Sequence, residues 1–98
     1  MVNHLIVFNT APGVTEEACR AMAHQARETL TRIPGVRTVR FGIAASERAT
    51  YRYLLIVEFE DESVIDLYRD HPVHVQFADQ VFRPMAVDRI TTDYTMVM

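Results

Sequence analysis

The densest group of side chains that could do chemistry lies in the run YRDHPVH, residues 68–74. It contains Tyr68 and, six positions later, His74. Histidine titrates near neutrality, so a buried His74 could take a proton from an acidic carbon and return it to an oxygen. The hydroxyl of Tyr68 could hold a carbonyl or enolate oxygen by a hydrogen bond. The alternative is that both side chains only fasten a broken helix to the sheet.

A third candidate, His4, lies outside this run, near the start of the chain. Alternation puts His4 on the same face of the first predicted strand as Ile6 and Phe8. It is then either a buried histidine bonded to a neighbour or a polar group that lines a pocket. The residue pattern leaves both interpretations open.

Metal and nucleophile chemistry fit the sequence less well. His71 and His74 would lie on one side of a helix, but a zinc or iron site needs at least a third ligand. Neither Asp70 nor Asp79 completes a recognised spacing. Cys19 falls on the apolar stripe of a helix, where a thiol behaves as a small hydrophobe. With three glycines the chain has no phosphate-binding loop. We therefore expect no metal and no cofactor.

Four segments have the alternation and the β-branched and aromatic content of strands. They cover residues 3–10, 36–43, 51–60 and 89–97. In the third strand, Tyr53, Leu55 and Val57 fill one face. Leu54 and Ile56 make the other face apolar as well. This strand is therefore expected to be covered on both sides.

Helical segments fill the gaps between these strands. Thr15 can cap a first helix that ends before Pro34. Its apolar stripe, over about 17 residues at helical spacing, consists of Cys19, Met22, Ala26, Leu30 and Ile33. A short helix is expected over residues 61–70, and another begins at Pro72 and stops at Pro84.

The order β-α-β-β-α-α-β is that of a ferredoxin-like α+β fold, with an antiparallel sheet and a second helix broken by a proline. Helices cover one face of such a sheet. The second apolar face then has no cover; it is formed by Leu5, Val7, Leu54 and Ile56. Leaving it in water would forfeit several kcal/mol at about 25 cal/mol per Å². We therefore expect a homodimer whose two sheets face each other on a twofold axis and enclose an α/β barrel.

Composition limits the remaining classes. Ninety-eight residues fit one domain, 1–98, since single cores typically hold roughly 100–150 residues. The net charge of −3 gives no overall positive field for nucleic acid or an anionic membrane. No apolar run approaches the roughly 20 residues that span a bilayer, and the start of the chain lacks the features of a secretory signal. We expect a cytoplasmic protein with neither nucleic acid nor membrane as a partner.

Five motifs in this order resemble one known family. They are HLIVF in the first strand, PGVTEE before the first helix, IPGV after it, the strand YRYLLIVEFED and the run YRDHPVH. Together they are similar to the stress-responsive A/B barrel (Dabb) domain, over essentially the whole chain from His4 to Tyr94. The resemblance implies a ferredoxin-like fold and a dimeric α+β barrel.

The resemblance also suggests roles for individual residues. Around the pocket the chain is similar to a plant member of the family, olivetolic acid cyclase, which closes a linear polyketide by intramolecular aldol condensation without a cofactor. This implies catalytic roles for His4, Tyr68 and His74, with His71 also kept. Two positions depart from that pattern. Tyr53 replaces a pocket histidine, and a pocket tyrosine is replaced by alanine at position 26.

Three functions follow from these observations. The first is binding of a small apolar, phenolic or polyketide-like ligand in a cavity between sheet and helices, without turnover. Its expected lining is His71, Tyr53, Ala26, Phe8 and Phe77. The second is a cofactor-free polyketide cyclase, with His74 as general base and then acid, Tyr68 orienting the carbonyl and His4 assisting. The third is a cofactor-independent monooxygenase acting on an electron-rich phenol.

Overall fold

A computed structural model describes all 98 residues of the chain. Its elements are β1 (Val2–Asn9), α1 (Glu16–Leu30), β2 (Val36–Ile43), β3 (Tyr53–Phe59), α2 (Ser63–Asp70), α3 (Pro72–Phe77), a π-helical turn (Ala78–Phe82), α4 (Arg83–Met85) and β4 (Asp88–Thr95). The order confirms the predicted arrangement. Each strand begins and ends within two residues of its predicted bounds.

The four strands form one antiparallel sheet in the order β2-β3-β1-β4. The two central strands, β1 and β3, are adjacent although α1 and β2 separate them in the sequence. This topology, with the helices on one face, confirms the ferredoxin-like α+β fold. It brings the start of β1 beside the end of β4, where Val2 pairs with Thr95.

The core lies between the helices and one face of the sheet. Alternate residues of the two central strands are buried there, among them Phe8, Leu55, Val57 and Phe59. The stripe predicted for α1 covers them with Cys19, Met22, Ala26 and Leu30. Because these side chains interdigitate in one cluster, the helix stripe and the strand alternation specify the same packing.

The first helix has the predicted N-cap and a shorter C-terminus. The Thr15 hydroxyl accepts a hydrogen bond from the backbone N–H of Ala18 at 3.1 Å. The helix ends at Leu30 after 15 residues, so the expectation of about 17 was too long. Ile33 is fully buried in the turn that follows, which explains why it continues the apolar stripe without being helical.

The sequence predicts that the last helix stops at Pro84, and this prediction is wrong. The chain widens into the π-helical turn Ala78–Phe82 and then restarts as the short helix α4, in whose first turn Pro84 lies. Proline is tolerated there because the N–H that it lacks has no partner in a first turn. The backbone N–H of Ala86 closes the segment by donating to Phe82 O at 2.8 Å.

No helix covers the other face of the sheet, which we call the open face. Its centre is formed by partly buried apolar residues, Leu5, Val7, Leu54 and Ile56. Towards β4 it continues through Ile90 and Tyr94, each 52% exposed. Asn3 lies on the same face, and its buried Oδ1 has no hydrogen-bond partner.

None of the helices is long and apolar enough to cross a membrane.

Candidate functional site

Three of the predicted site residues meet at the helix face of the sheet. His4 projects from β1, Tyr68 from α2 and His74 from α3. The ring centroids of His4 and Tyr68 are 5.3 Å apart, and those of Tyr68 and His74 are 4.1 Å apart. The structure therefore brings together in one cluster the side chains that the resemblance marks as catalytic.

The break between α2 and α3 produces this arrangement. His71 adopts an extended backbone conformation, since the residue before a proline is disfavoured in the helical region. Its Nδ1 accepts a hydrogen bond from the backbone N–H of Val73 at 3.1 Å and so caps α3. Capping by His71 follows from its position before Pro72. The break between α2 and α3 thus brings the His74 ring against the Tyr68 ring.

His74 is held as a neutral base. Its Nδ1 lies 3.0 Å from the carbonyl oxygen of Arg69, which can only accept, so Nδ1 carries the proton and donates. In the neutral imidazole the lone pair is then on Nε2. Burial lowers the pKa of His74, and the bond to the Arg69 carbonyl opposes this only in part. At neutral pH the ring can therefore accept a proton at Nε2.

Tyr68 is held as a neutral phenol. Its side chain is 3% exposed and packs against Phe59, with ring centroids 4.8 Å apart. Burial raises the pKa of Tyr68, and the negative charge of Asp93 raises it further. A phenol that keeps its proton can donate a hydrogen bond to a ligand oxygen.

Asp93 is a member of the site that sequence reasoning missed. Its Oδ1 lies 2.6 Å from Nδ1 of His4, which donates to it. The antiparallel pairing of β1 with β4 puts these two residues directly opposite each other. The apolar residues of β4 alternate on the other face of that strand, so the alternation did not single out Asp93. The pairing of β1 with β4 in a ferredoxin-like sheet was the signal that could have found Asp93.

The bond to Asp93 agrees with one of the two interpretations of His4, a histidine bonded to a neighbour. The histidine faces the helices, with its side chain 15% exposed, and is bonded to a neighbour. It also stacks on Phe59 at a centroid distance of 5.6 Å. The cluster therefore offers an anchored imidazole, a neutral phenol and a neutral imidazole base within one small volume.

The residues expected to line a ligand cavity lie in the packed core. Phe8 and Ala26 are fully buried, and the Phe8 ring contacts Tyr53 and Phe82 at centroid distances of 5.5 and 5.2 Å. None of the five main cavities is lined by Phe8, Ala26 or Tyr53. Phe77 borders a cavity of about 240 Å³ between α1 and α3. The structure thus groups His4, Tyr68 and His74 but places these aromatic residues elsewhere.

The thiol of Cys19 lies in the core near Tyr53. Burial raises the pKa of both groups. A protonated, buried thiol is a poor nucleophile. No group of three His, Cys, Asp or Glu side chains is arranged to hold a metal ion.

Solved structures share this fold. A Dabb family protein with a ferredoxin-like fold from Mesorhizobium loti is 24% identical, with a TM-score of 0.82 over 99% of this chain and 97% of that chain. A dimeric ferredoxin-like protein of unknown function from Thermobifida fusca is 21% identical, with a TM-score of 0.78 over 97% and 90%. A hydroxynitrile lyase from Passiflora edulis is 13% identical, with a TM-score of 0.82 over 97% and 92%. At these identities the likeness is one of fold.

A search of curated proteins finds no match to the sequence. Residues 2–96 match the family described as Stress responsive A/B Barrel Domain, or Dabb. This match spans nearly every residue and agrees with the sheet order and the helix placement above. The chain therefore belongs to the Dabb family.

Proposed function

We propose that the chain binds a small carbonyl compound at His4, Tyr68 and His74 and moves protons on it without a cofactor. The observation that carries the proposal is the hydrogen bond of 3.0 Å between His74 Nδ1 and the Arg69 carbonyl. It leaves Nε2 as a base beside the Tyr68 ring. A general base and a hydrogen-bond donor to the developing oxyanion are what proton abstraction next to a carbonyl requires.

The substrate class that we favour is a linear poly-β-ketone. His74 Nε2 takes the proton from a carbon between two carbonyl groups, and Tyr68 donates a hydrogen bond to the enolate oxygen. The enolate carbon attacks another carbonyl carbon of the same molecule, which forms the C–C bond. The proton on His74 then passes to the new alkoxide. Resemblance to olivetolic acid cyclase at His4, Tyr68 and His74 supports this class, whereas Tyr53 and Ala26 indicate a pocket of different shape.

The same base and hydrogen-bond donor also suit cleavage of a second substrate, a hydroxynitrile. The Passiflora edulis neighbour is a hydroxynitrile lyase with this fold. Cleavage of a hydroxynitrile also needs one base, which removes the hydroxyl proton as the bond to the nitrile carbon breaks. A carbonyl compound and cyanide leave, and the proton held by the base passes to cyanide. A hydroxynitrile is therefore assayed beside the poly-β-ketone.

The proposed working unit is a homodimer joined through the open face. The apolar centre of this face consists of the partly buried residues Leu5, Val7, Leu54 and Ile56. Covering them recovers several kcal/mol at about 25 cal/mol per Å². The buried and unpaired Oδ1 of Asn3 on the same face also favours a partner. A twofold axis satisfies both with one self-complementary surface. The Thermobifida fusca neighbour is described as dimeric.

A second candidate function is ligand binding without turnover. It is supported by the cavity of about 240 Å³ that Phe77 borders. The dense packing of Phe8 against Tyr53 and Phe82 counts against it, because these rings fill the space in which the ligand was expected. Such a protein would hold a small apolar or phenolic compound after a modest shift of these rings. It would bind the ligand equally well with and without the His74 base.

The two functions are separated by turnover measurements on matched variants. Wild type, His74→Gln, Tyr68→Phe and the exposed-site control His24→Gln are incubated with a linear poly-β-ketone and with a hydroxynitrile. We expect turnover by wild type and His24→Gln, a loss of about 100-fold or more in His74→Gln, and an unchanged melting temperature in all four proteins. Equal turnover in His74→Gln would contradict the proposal. Saturable binding without any turnover would favour the second candidate.

A further inference from the structure

Arginine is concentrated on one part of this acidic chain. All ten side chains counted as lysine or arginine are arginine, and the net charge is −3. Five of them fall between residues 20 and 40, where Glu28 is the single carboxylate. This segment comprises α1 from its first turns onward and the first half of β2. A strongly positive surface therefore lies along the seam between these two elements.

A cavity of about 320 Å³ opens on this seam. Arg27 of α1 and Thr31, the residue that caps the C-terminus of α1, line one side of it and are four positions apart. Its lining from β2 is Arg37, Thr38, Val39 and Arg40. A β-bulge between Val36 and Thr38 interrupts the register with β3, so Arg37 and Thr38 can both line the cavity. Three arginines and two threonines therefore line one volume.

None of these three guanidinium groups has a carboxylate partner. The arginines that form ion pairs are Arg20, Arg69 and Arg83. Arg27 donates from Nε to the carbonyl oxygen of Val39 at 3.1 Å, which fixes the side chain and leaves its terminal nitrogens to other acceptors. Glu58 lies across from Thr38 in the β2–β3 register, yet it forms no ion pair with the group. No ion pair within the chain involves Arg27, Arg37 or Arg40.

We propose that this cavity binds the phosphate or pyrophosphate group of a small ligand. Three guanidinium groups carry three positive charges, whereas a phosphate monoester carries about −1.5 to −2 at neutral pH and a single carboxylate carries less. The planar fork of arginine matches phosphate oxygens two at a time, and the Thr38 hydroxyl supplies a further donor. The cavity is close to the roughly 300 Å³ at which ligand pockets begin.

The site is separate from the His74 cluster. That cluster is built on β1, β4, α2 and α3, whereas the cavity is built on α1 and β2. The inference therefore stands whether or not the proposed proton transfer is found. The competing explanation is that arginines on β2, an edge strand, only prevent other chains from pairing with it.

The test titrates the full chain with inorganic pyrophosphate by calorimetry at low ionic strength, with citrate as a carboxylate of comparable charge. Wild type is compared with Arg37→Gln and Arg40→Gln, whose side chains make no hydrogen bond in the structure. The matched control is Arg48→Gln, which removes the same charge from the loop between β2 and β3. Circular dichroism checks that all variants keep the wild-type fold.

We expect saturable binding of one pyrophosphate per chain and weaker binding of citrate. Each of Arg37→Gln and Arg40→Gln weakens binding about tenfold, the scale of one hydrogen bond to a charged group. Arg48→Gln leaves the affinity unchanged. The inference is overturned if wild type does not bind pyrophosphate, if citrate binds as tightly, or if the control loses as much affinity. Absent binding together with aggregation of the two β2 variants would show that these arginines only protect the edge strand.

Discussion

Burial determines how the His74 ring titrates, and this gives the residue a measurable effect on stability. Its pKa is lowered from the ordinary 6.5 mainly by desolvation. As the pH falls, the unfolded chain takes up this proton before the folded chain does. The titration of His74 therefore does not affect the free energy of unfolding above about pH 6.5. As the pH falls through the lower pKa of His74 in the folded chain, the free energy of unfolding decreases.

We expect the loss of stability on acidification to be shallower in His74→Gln than in wild type. Urea denaturation at a series of values from about pH 7 to about pH 5 measures it. His24→Gln is the control for removal of an exposed imidazole. Parallel curves for wild type and His74→Gln would mean that His74 is not desolvated in the folded chain.

Asp93 couples two members of the cluster through its charge. It accepts the hydrogen bond from His4 and adds to the effect of burial on the pKa of Tyr68. Asp93→Asn keeps the size and an acceptor oxygen but removes the charge. We expect the Tyr68 pKa to decrease while staying above the ordinary 10, and turnover to fall about tenfold as a charge-assisted bond becomes a neutral one.

Spectroscopic titration of the tyrosines, in Asp93→Asn and in a Tyr68→Phe background, identifies the shifted group. Asp88→Asn, on the same strand, is the matched control. If Asp93→Asn left both the tyrosine titration and the turnover unchanged, Asp93 would be a surface carboxylate with no part in the site.

At the scale of elements, one glycine controls how closely α2 approaches the turn after α1. Gly35 has a φ of +91°, and a Cβ built on it would lie 2.5 Å from a methyl group of Val64. Gly13 has a φ of +86° with nothing within 4 Å, so it isolates the cost of the backbone conformation. We expect Gly13→Ala to cost about 1 kcal/mol of unfolding free energy. Gly35→Ala should cost about 2–4 kcal/mol, because overpacking is added.

Thermal or urea denaturation of the two alanine variants checks this difference. Truncation of the contacted side chain in the double variant Gly35→Ala/Val64→Ala should recover part of the loss caused by Gly35→Ala. Equal losses in the two single variants would contradict the proposed close packing of α2 on the turn.

The elements that could be predicted from the sequence are those set by local physics. Alternation located the strands, and the Thr15 cap and apolar stripe located α1, because each depends on neighbours along the chain. The π-helical turn and the restart at Pro84 depend on tertiary packing and were missed. Within the site, His71 follows from its place before Pro72. The partnership of His4 with Asp93 does not, because 89 positions separate them and only the sheet joins them.

At the scale of the molecule, the two-sided β3 strand led to the expectation of a second copy. Family membership and the ferredoxin-like fold are shown for this chain, whereas the homodimer, the single-domain organisation of residues 1–98 and the cytoplasmic location stay predictions. Which surfaces of a sheet are covered depends on the assembly as well as on the chain. Sequence patterning reveals the need for cover without identifying what provides it.

We expect Ile56→Lys to convert the proposed homodimer to a monomer. The substitution puts a charge at the apolar centre of the open face, where desolvating it would oppose association. Leu67→Lys is the matched control, since Leu67 is 62% exposed on α2, away from the open face. Light scattering at micromolar concentration measures both. A wild-type protein that is monomeric under these conditions would contradict the proposed assembly.

The proposed function depends most on His74 acting as a base towards carbon, and hydrogen exchange tests this directly. Acetylacetone carries acidic hydrogens between two carbonyl groups, and nuclear magnetic resonance in deuterated buffer follows their replacement by deuterium. We expect wild type to accelerate exchange above the buffer rate, His74→Gln to return it to that rate, and His24→Gln to behave as wild type. Exchange at the buffer rate with wild type, or equal acceleration by His74→Gln, would contradict the proposed function.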